Sequence, residues 1–186
     1  MISDKRNFFN QAKTMVLSVV LYVLYAAFYE LKDMDSRFME EVDDWEDKIC
    51  YRIRVMNNGP SLILMKRKGK FVRYQNLPDQ LIHVDMMIKS IDSAFIIFTG
   101  RMSVAQAYAK HTFTVRGEIA DTMKMARCVD LAEANLFPKL ITKRILKEVP
   151  EREIGVVSLY ACILIGILKG RYRAKIYKRN PKCKQI

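Results

Sequence analysis

The sequence predicts an α+β domain, a five-stranded and mainly antiparallel sheet covered by helices. Three observations predict it. The middle of the chain alternates apolar and polar residues with period two, the segments that follow repeat apolar residues at spacings of three and four, and Gly, Pro, Asn and Asp separate the segments. Strands first and helices afterwards is the α+β order.

The first element is apolar. Thr14 to Tyr29 is a run of sixteen residues without a charge, preceded by Lys5, Arg6 and Lys13. A spanning helix needs about 20 apolar residues, and signal cleavage needs small residues at spacing two, whereas this run ends Ala26-Ala27-Phe28-Tyr29-Glu30. Two readings stand: a helix buried against the sheet or over an apolar cavity, and a monotopic or spanning anchor. From Glu30 to Asp47 the chain carries nine acidic and two basic residues, an acidic connector that completes a segment 1–48.

Segment 49–150 carries the sheet. Ile49 to Met56 places Ile49, Tyr51, Ile53 and Val55 on one face with Arg52 and Arg54 on the other, as a half-buried strand does. Asn57-Asn58-Gly59-Pro60 supplies a turn, because Asn and Gly tolerate positive φ and Pro cannot continue a ladder. Ser61 to Lys66, the turn Lys68-Gly69-Lys70, Phe71 to Gln75 and Gln80 to Ile88 then extend the pattern into an antiparallel meander of four strands.

Helices follow. Ser90 caps a helix with Ile91, Ala94, Phe95 and Phe98 on its apolar side, stopped at Gly100, and Ser103 caps a short helix through Tyr108. Thr112 to Ile119 is the fifth strand, where Gly117 lets another backbone or a ligand approach. Asp121 caps a helix with Met125, Cys128, Val129, Ala132 and Leu136 on one stripe, and Pro138 opens another, reaching Val149, that buries Leu140, Ile141, Ile145 and Val149.

Segment 151–186 closes the chain on or near the same domain. Ile154 to Leu168 is uncharged for fifteen residues, and eight basic residues with no acidic one follow from Lys169 to Ile186. Two apolar segments at opposite ends of a 186-residue chain point to lipid-facing or cavity-facing helices. Lys169, Arg171, Arg173 and Lys175 are the candidate contacts to an anionic membrane surface, each worth about 1 kcal/mol there; a solvated tail is the alternative.

Composition excludes several classes. Hydrophobic residues make up 51% and charged residues 28%, which rules out disorder, collagen and a chain-long coiled coil. The charge of +12 favours polyanions or anionic membranes, but the acidic stretch and the separation of aromatics from basic residues argue against nucleic acid. Cys50, Cys128, Cys162 and Cys183 stand singly, with no metal or disulfide spacing, which fits a reducing, cytoplasmic setting. No phosphate-cradling glycine loop and no nucleophile elbow occurs, and His83 beside Asp85 lacks a nucleophile, so neither a cofactor nor catalysis is expected.

The methionines are suggestive. Met65, Met86, Met87, Met102, Met123 and Met125 gather on the sheet and its covering helices, and Met fills apolar space without fixing one shape. An apolar lining of Phe95, Phe98, Met102, Phe113, Val115, Met125, Val129, Phe137 and Ile141 is therefore expected.

From Asp79 through Leu146, about a third of the chain, the sequence resembles the sterol carrier protein 2 (SCP2) family of lipid-binding domains. The resemblance rests on the strand Leu81 to Lys89, the segments IDSAFIIFTG, RMSVAQAYAKH, TFTVRGEI and ADTMKMARCVDL in that order, the TVRGE step at Thr114 to Glu118, and the small Ala107. It implies an SCP2-like sheet and helices around an apolar tunnel for a sterol, fatty acid or acyl-coenzyme A, in a carrier rather than a catalyst. Both apolar end segments are additions to that pattern, and the chain ends Lys184-Gln185-Ile186 without the peroxisomal Ser-Lys-Leu signal. The expected function is non-enzymatic lipid binding or transfer, with a membrane-associated accessory protein on the same scaffold as the alternative.

Overall fold

The computed structural model describes residues 2–56, 59–98, 102, 104–136 and 154–177. Asn57-Asn58, Gly100, Ser103, the expected helix from Pro138 to Val149, and the basic residues beyond Tyr177 lie outside them.

The described elements are α1 (Ile2–Met34), α2 (Ser36–Asp43), β1 (Cys50–Val55), β2 (Ser61–Arg67), β3 (Lys70–Tyr74), β4 (Val84–Ile88), α3 (Ile91–Phe98), α4 (Val104–Ala109), β5 (Phe113–Arg116), α5 (Ile119–Leu136) and α6 (Val156–Leu168). Five strands form one mixed sheet in the order β3-β2-β1-β4-β5. This is the α+β fold expected.

One pairing differs from expectation. β1, β2 and β3 make an antiparallel meander, but β4 lies on the other side of β1 and runs parallel to it, Tyr51 opposite Val84 and Val55 opposite Ile88. Alternation marks a strand without naming its neighbour, so the period could not reveal this. The reason lies in the connection. After Tyr74 the chain makes no tight turn; it passes through a short 3-10 turn at Asp79–Leu81 and packs Leu77 and Ile82 against Cys50 and Ile63 on the outer face of the sheet. That turn also delays the strand from Gln80 to Val84.

Elsewhere turn chemistry matches the chain. Lys68 and Gly69 both take positive φ, 50° and 69°, the two-residue hairpin geometry that follows strand twist. Gly117 sits at φ 130°, and a Cβ there would lie 2.3 Å from the His83 carbonyl oxygen. Close approach to the neighbouring backbone demands glycine.

The inner face of the sheet presents Tyr51, Ile53, Val55, Leu62, Leu64, Val84, Met86 and Ile88 to the helices, in one apolar cluster with the stripe Leu17, Leu21, Leu24, Phe28 and Leu31 of α1. Phe28 meets Phe38 edge-on at 5.1 Å and Phe71 at 5.9 Å. The C-terminal half of α1 is thus a core helix. By length and composition Asn10–Met34 is sufficient to cross a membrane, but half of its 18-residue apolar window is buried in the fold, and inserting it would strip these aromatic contacts.

The acidic connector contains a helix, α2, capped at both ends. Asp35 accepts from the Arg37 and Phe38 amides, and the Lys66 ammonium donates to the carbonyls of Val42 and Trp45 at 2.7 and 2.6 Å. A cation at a helix C-terminus satisfies carbonyls that have no intrahelical partner. On the other side of the core, Ser90 caps α3 by accepting from the Ser93 amide at 3.0 Å, and the stripe Met125, Cys128, Val129, Ala132 and Leu136 of α5 is buried.

Candidate functional site: an apolar cavity beneath α3 and α5

Alternation aims Ile53, Met86, Ile88 and Phe113 at the inner side of the sheet, and helical spacing brings Ile97 and Phe98 from α3 and Val129 and Glu133 from α5 down onto them. Between these side chains lies a cavity of about 40 Å³. It is far smaller than the roughly 300–1,000 Å³ of a pocket that holds a drug-sized molecule, and little larger than one water's share of liquid volume, about 30 Å³. Among the described residues no elongated void opens there.

Phe98, Phe113 and Val129 line this cavity. Met102 and Met125 are buried in the same apolar cluster without lining it, and Val115 is partly buried against that cluster. Phe95 is half-buried on α3. Phe137 and Ile141 lie outside the described residues.

Sequence reasoning missed Glu133, the one charged residue among the described residues that line the cavity. It is 4% exposed and has no hydrogen-bond or ion-pair partner among the described residues. Burial, assisted by the charge of Asp130 one turn earlier, pushes its carboxyl up to about 8, and burial raises Asp130 to about 6. A signal existed: Glu133 follows Val129 by four positions and therefore shares the buried stripe.

On the outer face, Asp85 accepts paired hydrogen bonds from Arg52, at 2.9 and 2.7 Å, and from Arg54, at 3.1 and 2.8 Å. Burial alone would raise the Asp85 carboxyl, but these bonds and charges hold it below the usual carboxylate range. His83 Nδ1 accepts from the Cys50 amide at 3.1 Å, and no hydrogen bond joins His83 to Asp85 among the described residues. Burial pushes the Cys50 thiol up to about 12, far from the thiolate a nucleophile needs. No group of three or more His, Cys, Asp or Glu suited to a metal occurs among the described residues.

The four cations Lys169, Arg171, Arg173 and Lys175 lie past the end of α6 and do not line the cavity. All four are exposed. Their segment is nevertheless fixed: Arg171 pairs with Glu30 at 3.4 Å, and the Lys175 backbone bridges to β3 beside Tyr74.

No family model matches the chain, and no curated protein matches it. Among solved structures, it is similar to a protein described as "UbiJ-SCP2 Ubiquinone synthesis protein", with a TM-score of 0.46 and 15% identity over 64% of this chain and 96% of that one. It is also similar to the sterol carrier protein domain 2 of Helicoverpa armigera, with a TM-score of 0.37 and 17% identity over 65% of this chain and 87% of that one.

Proposed function

We propose that the protein is a non-enzymatic lipid-binding or lipid-transfer protein that takes the apolar body of a sterol, fatty acid or acyl-coenzyme A between the inner face of the sheet and helices α3 and α5. The observation that carries this is the placement of the cavity. It lies between the inner face of the sheet and α3 and α5, and among the described residues its wall, apart from Glu133, is apolar side chains from three strands and two helices. Each 100 Å² of ligand surface buried there contributes about 2.5 kcal/mol, against the cost of parting the helices.

Among the described residues no cation lines the cavity, and Glu133 borders it. A charged head group is therefore disfavoured inside, and the carboxylate or phosphate of an anionic lipid would stay at the surface. A cytoplasmic protein that meets membranes peripherally belongs to the same reading.

Native mass spectrometry of the gently purified protein, with organic extraction of the same sample, tests it. A stoichiometric lipid adduct is expected. Protein free of lipid that also fails to take up oleic acid or cholesterol would overturn the proposal. The rival, a membrane-associated accessory protein on the same scaffold, is favoured by the exposed apolar surface of α6, and would show vesicle binding without any internal lipid.

A further inference from the structure

We infer that α6 and the cationic segment after it form a docking surface for an anionic membrane, with α6 lying in the plane of the interface. This goes beyond holding a lipid in the interior, and it rests on different residues.

α6 contains no charged residue, yet only Leu159, Ile163 and Gly166 along it are buried. Its outward side is greasy: Val157 is 82% exposed, Leu164 60% and Leu168 86%. A soluble chain seldom leaves so many large apolar residues together on one helix, and such a patch marks an interaction site. At 13 residues the helix is about 20 Å long, too short to cross the roughly 30 Å hydrocarbon core but suited to lying along it.

Charge selects the occupant. The helix ends directly at Lys169, and Arg171, Arg173 and Lys175 follow, all exposed, while no acidic residue occurs from Ile154 to the end of the chain. Apolar residues continue among them, with Ile176 64% and Tyr177 37% exposed. Apolar insertion flanked by clustered cations is the pattern that anionic lipid head groups recognise. A second copy of this chain would instead bring the same cations toward each other.

The surface is also held in place. Tyr172, fully buried, stacks edge-on against Tyr22, Tyr25 and Tyr29 of α1 at 6.1, 6.2 and 5.5 Å. Gly166 lets it in, since a Cβ there would fall 2.1 Å from the Tyr172 hydroxyl. On the far side, the Gln75 amide donates to the Lys175 carbonyl at 3.0 Å, and the Lys175 amide to the Arg73 carbonyl at 2.7 Å. These contacts fix α6 and the cations in one orientation, so docking orders little new chain.

Sedimentation of the full chain with vesicles tests this, using phosphatidylcholine alone and phosphatidylcholine mixed with phosphatidylglycerol. The protein should pellet with the mixed vesicles and be weakened by salt. Replacing Arg173 and Lys175 by Gln should weaken partitioning about fivefold per residue. Leu164→Glu with Leu168→Glu should abolish it, and because both leucines are exposed the thermal midpoint should stay within a few degrees. Wild type that ignores mixed vesicles, or a double Glu variant that binds like wild type, would overturn the inference. So would a dimer in light scattering that the same variant dissociates, which would assign α6 to a second copy. Vesicle binding by protein with an empty interior would leave this inference standing while removing the lipid-carrier reading.

Discussion

The hydroxyl of Tyr172 donates a 2.6 Å hydrogen bond to Oε1 of Glu30, both side chains buried. With the Arg171–Glu30 pair, that bond fastens the segment beyond α6 to the last turns of α1, joining the two ends of the chain that sequence marked as additions. Burial, with Glu30 as hydrogen-bond partner and neighbouring charge, moves the Tyr172 phenol well above its ordinary range, so it stays a donor. The apolar end segments therefore share the core of the sheet: Leu17, Phe28, Leu159, Ile163 and Tyr172 belong to one cluster with Tyr51 and Val84.

Tyr172→Phe keeps the ring contacts but leaves Glu30, among the described residues, with only the longer Arg171 pair. A loss of about 1–3 kcal/mol is expected by denaturant unfolding, the cost of a buried acceptor deprived of its donor. An unchanged midpoint would show that the bond contributes nothing net.

Glu133 sets a pH dependence. Its folded value of about 8 lies above the ordinary 4.5, so the stability tied to its protonated form is fully present below about pH 4.5 and is lost as pH rises through about 8. The loss should reach several kcal/mol. Glu133→Gln should flatten this decline, giving a higher melting temperature than wild type at about pH 9 and little difference at about pH 4. Parallel melting curves for the two proteins across that range would contradict the burial argument.

Asp85 is predicted to matter at the opposite end of the pH scale. Because its carboxyl is held low, its contribution is present above the ordinary carboxylate value and is lost as pH falls through the lowered one. Asp85→Asn leaves Arg52 and Arg54 facing each other, Arg52 still paired with Asp79. A cost of about 2–3 kcal/mol is expected, below that of a fully buried pair because Arg54 retains solvent. Equilibrium unfolding followed by circular dichroism reads it directly.

Gly117→Ala should be among the most damaging small substitutions. The added methyl meets the His83 carbonyl and the Val84 Cα, at 2.3 and 3.0 Å, in a backbone conformation that L-residues resist. A drop in melting temperature of about 10 °C or more, or insoluble expression, is expected. A variant as stable as wild type would mean that β5 shifts freely against β4.

Much of this fold is legible in the sequence because local chemistry and tertiary role agree. The Lys68-Gly69 turn, the Ser90 cap, the α5 stripe and the alternation of β1 each follow from residue type and spacing. The partner of β4 does not, since period two is the same beside β1 as beside β3, and only burial of Leu77 and Ile82 shows why the chain crosses over. α2 was hidden because its caps come from different distances: Asp35 is local, whereas Lys66 arrives from β2. Phe98, Phe113 and Val129 were legible as inward apolar residues, but the cavity's volume was not, because Met, Phe and Ile that line a void and those that fill it have the same periodicity. The exposure of α6 was equally hidden, since an all-apolar helix carries no moment to say which side faces out.

Methyl-resolved NMR of the protein titrated with oleic acid, and separately with cholesterol, addresses the central claim most directly. Saturable, stoichiometric changes are expected at Met86, Ile97 and Val129, where the ligand would part α3 and α5 from the sheet. Interior methyl signals that stay fixed while only Leu164 and Leu168 respond would contradict it, leaving a protein that touches lipid at its surface and holds none within.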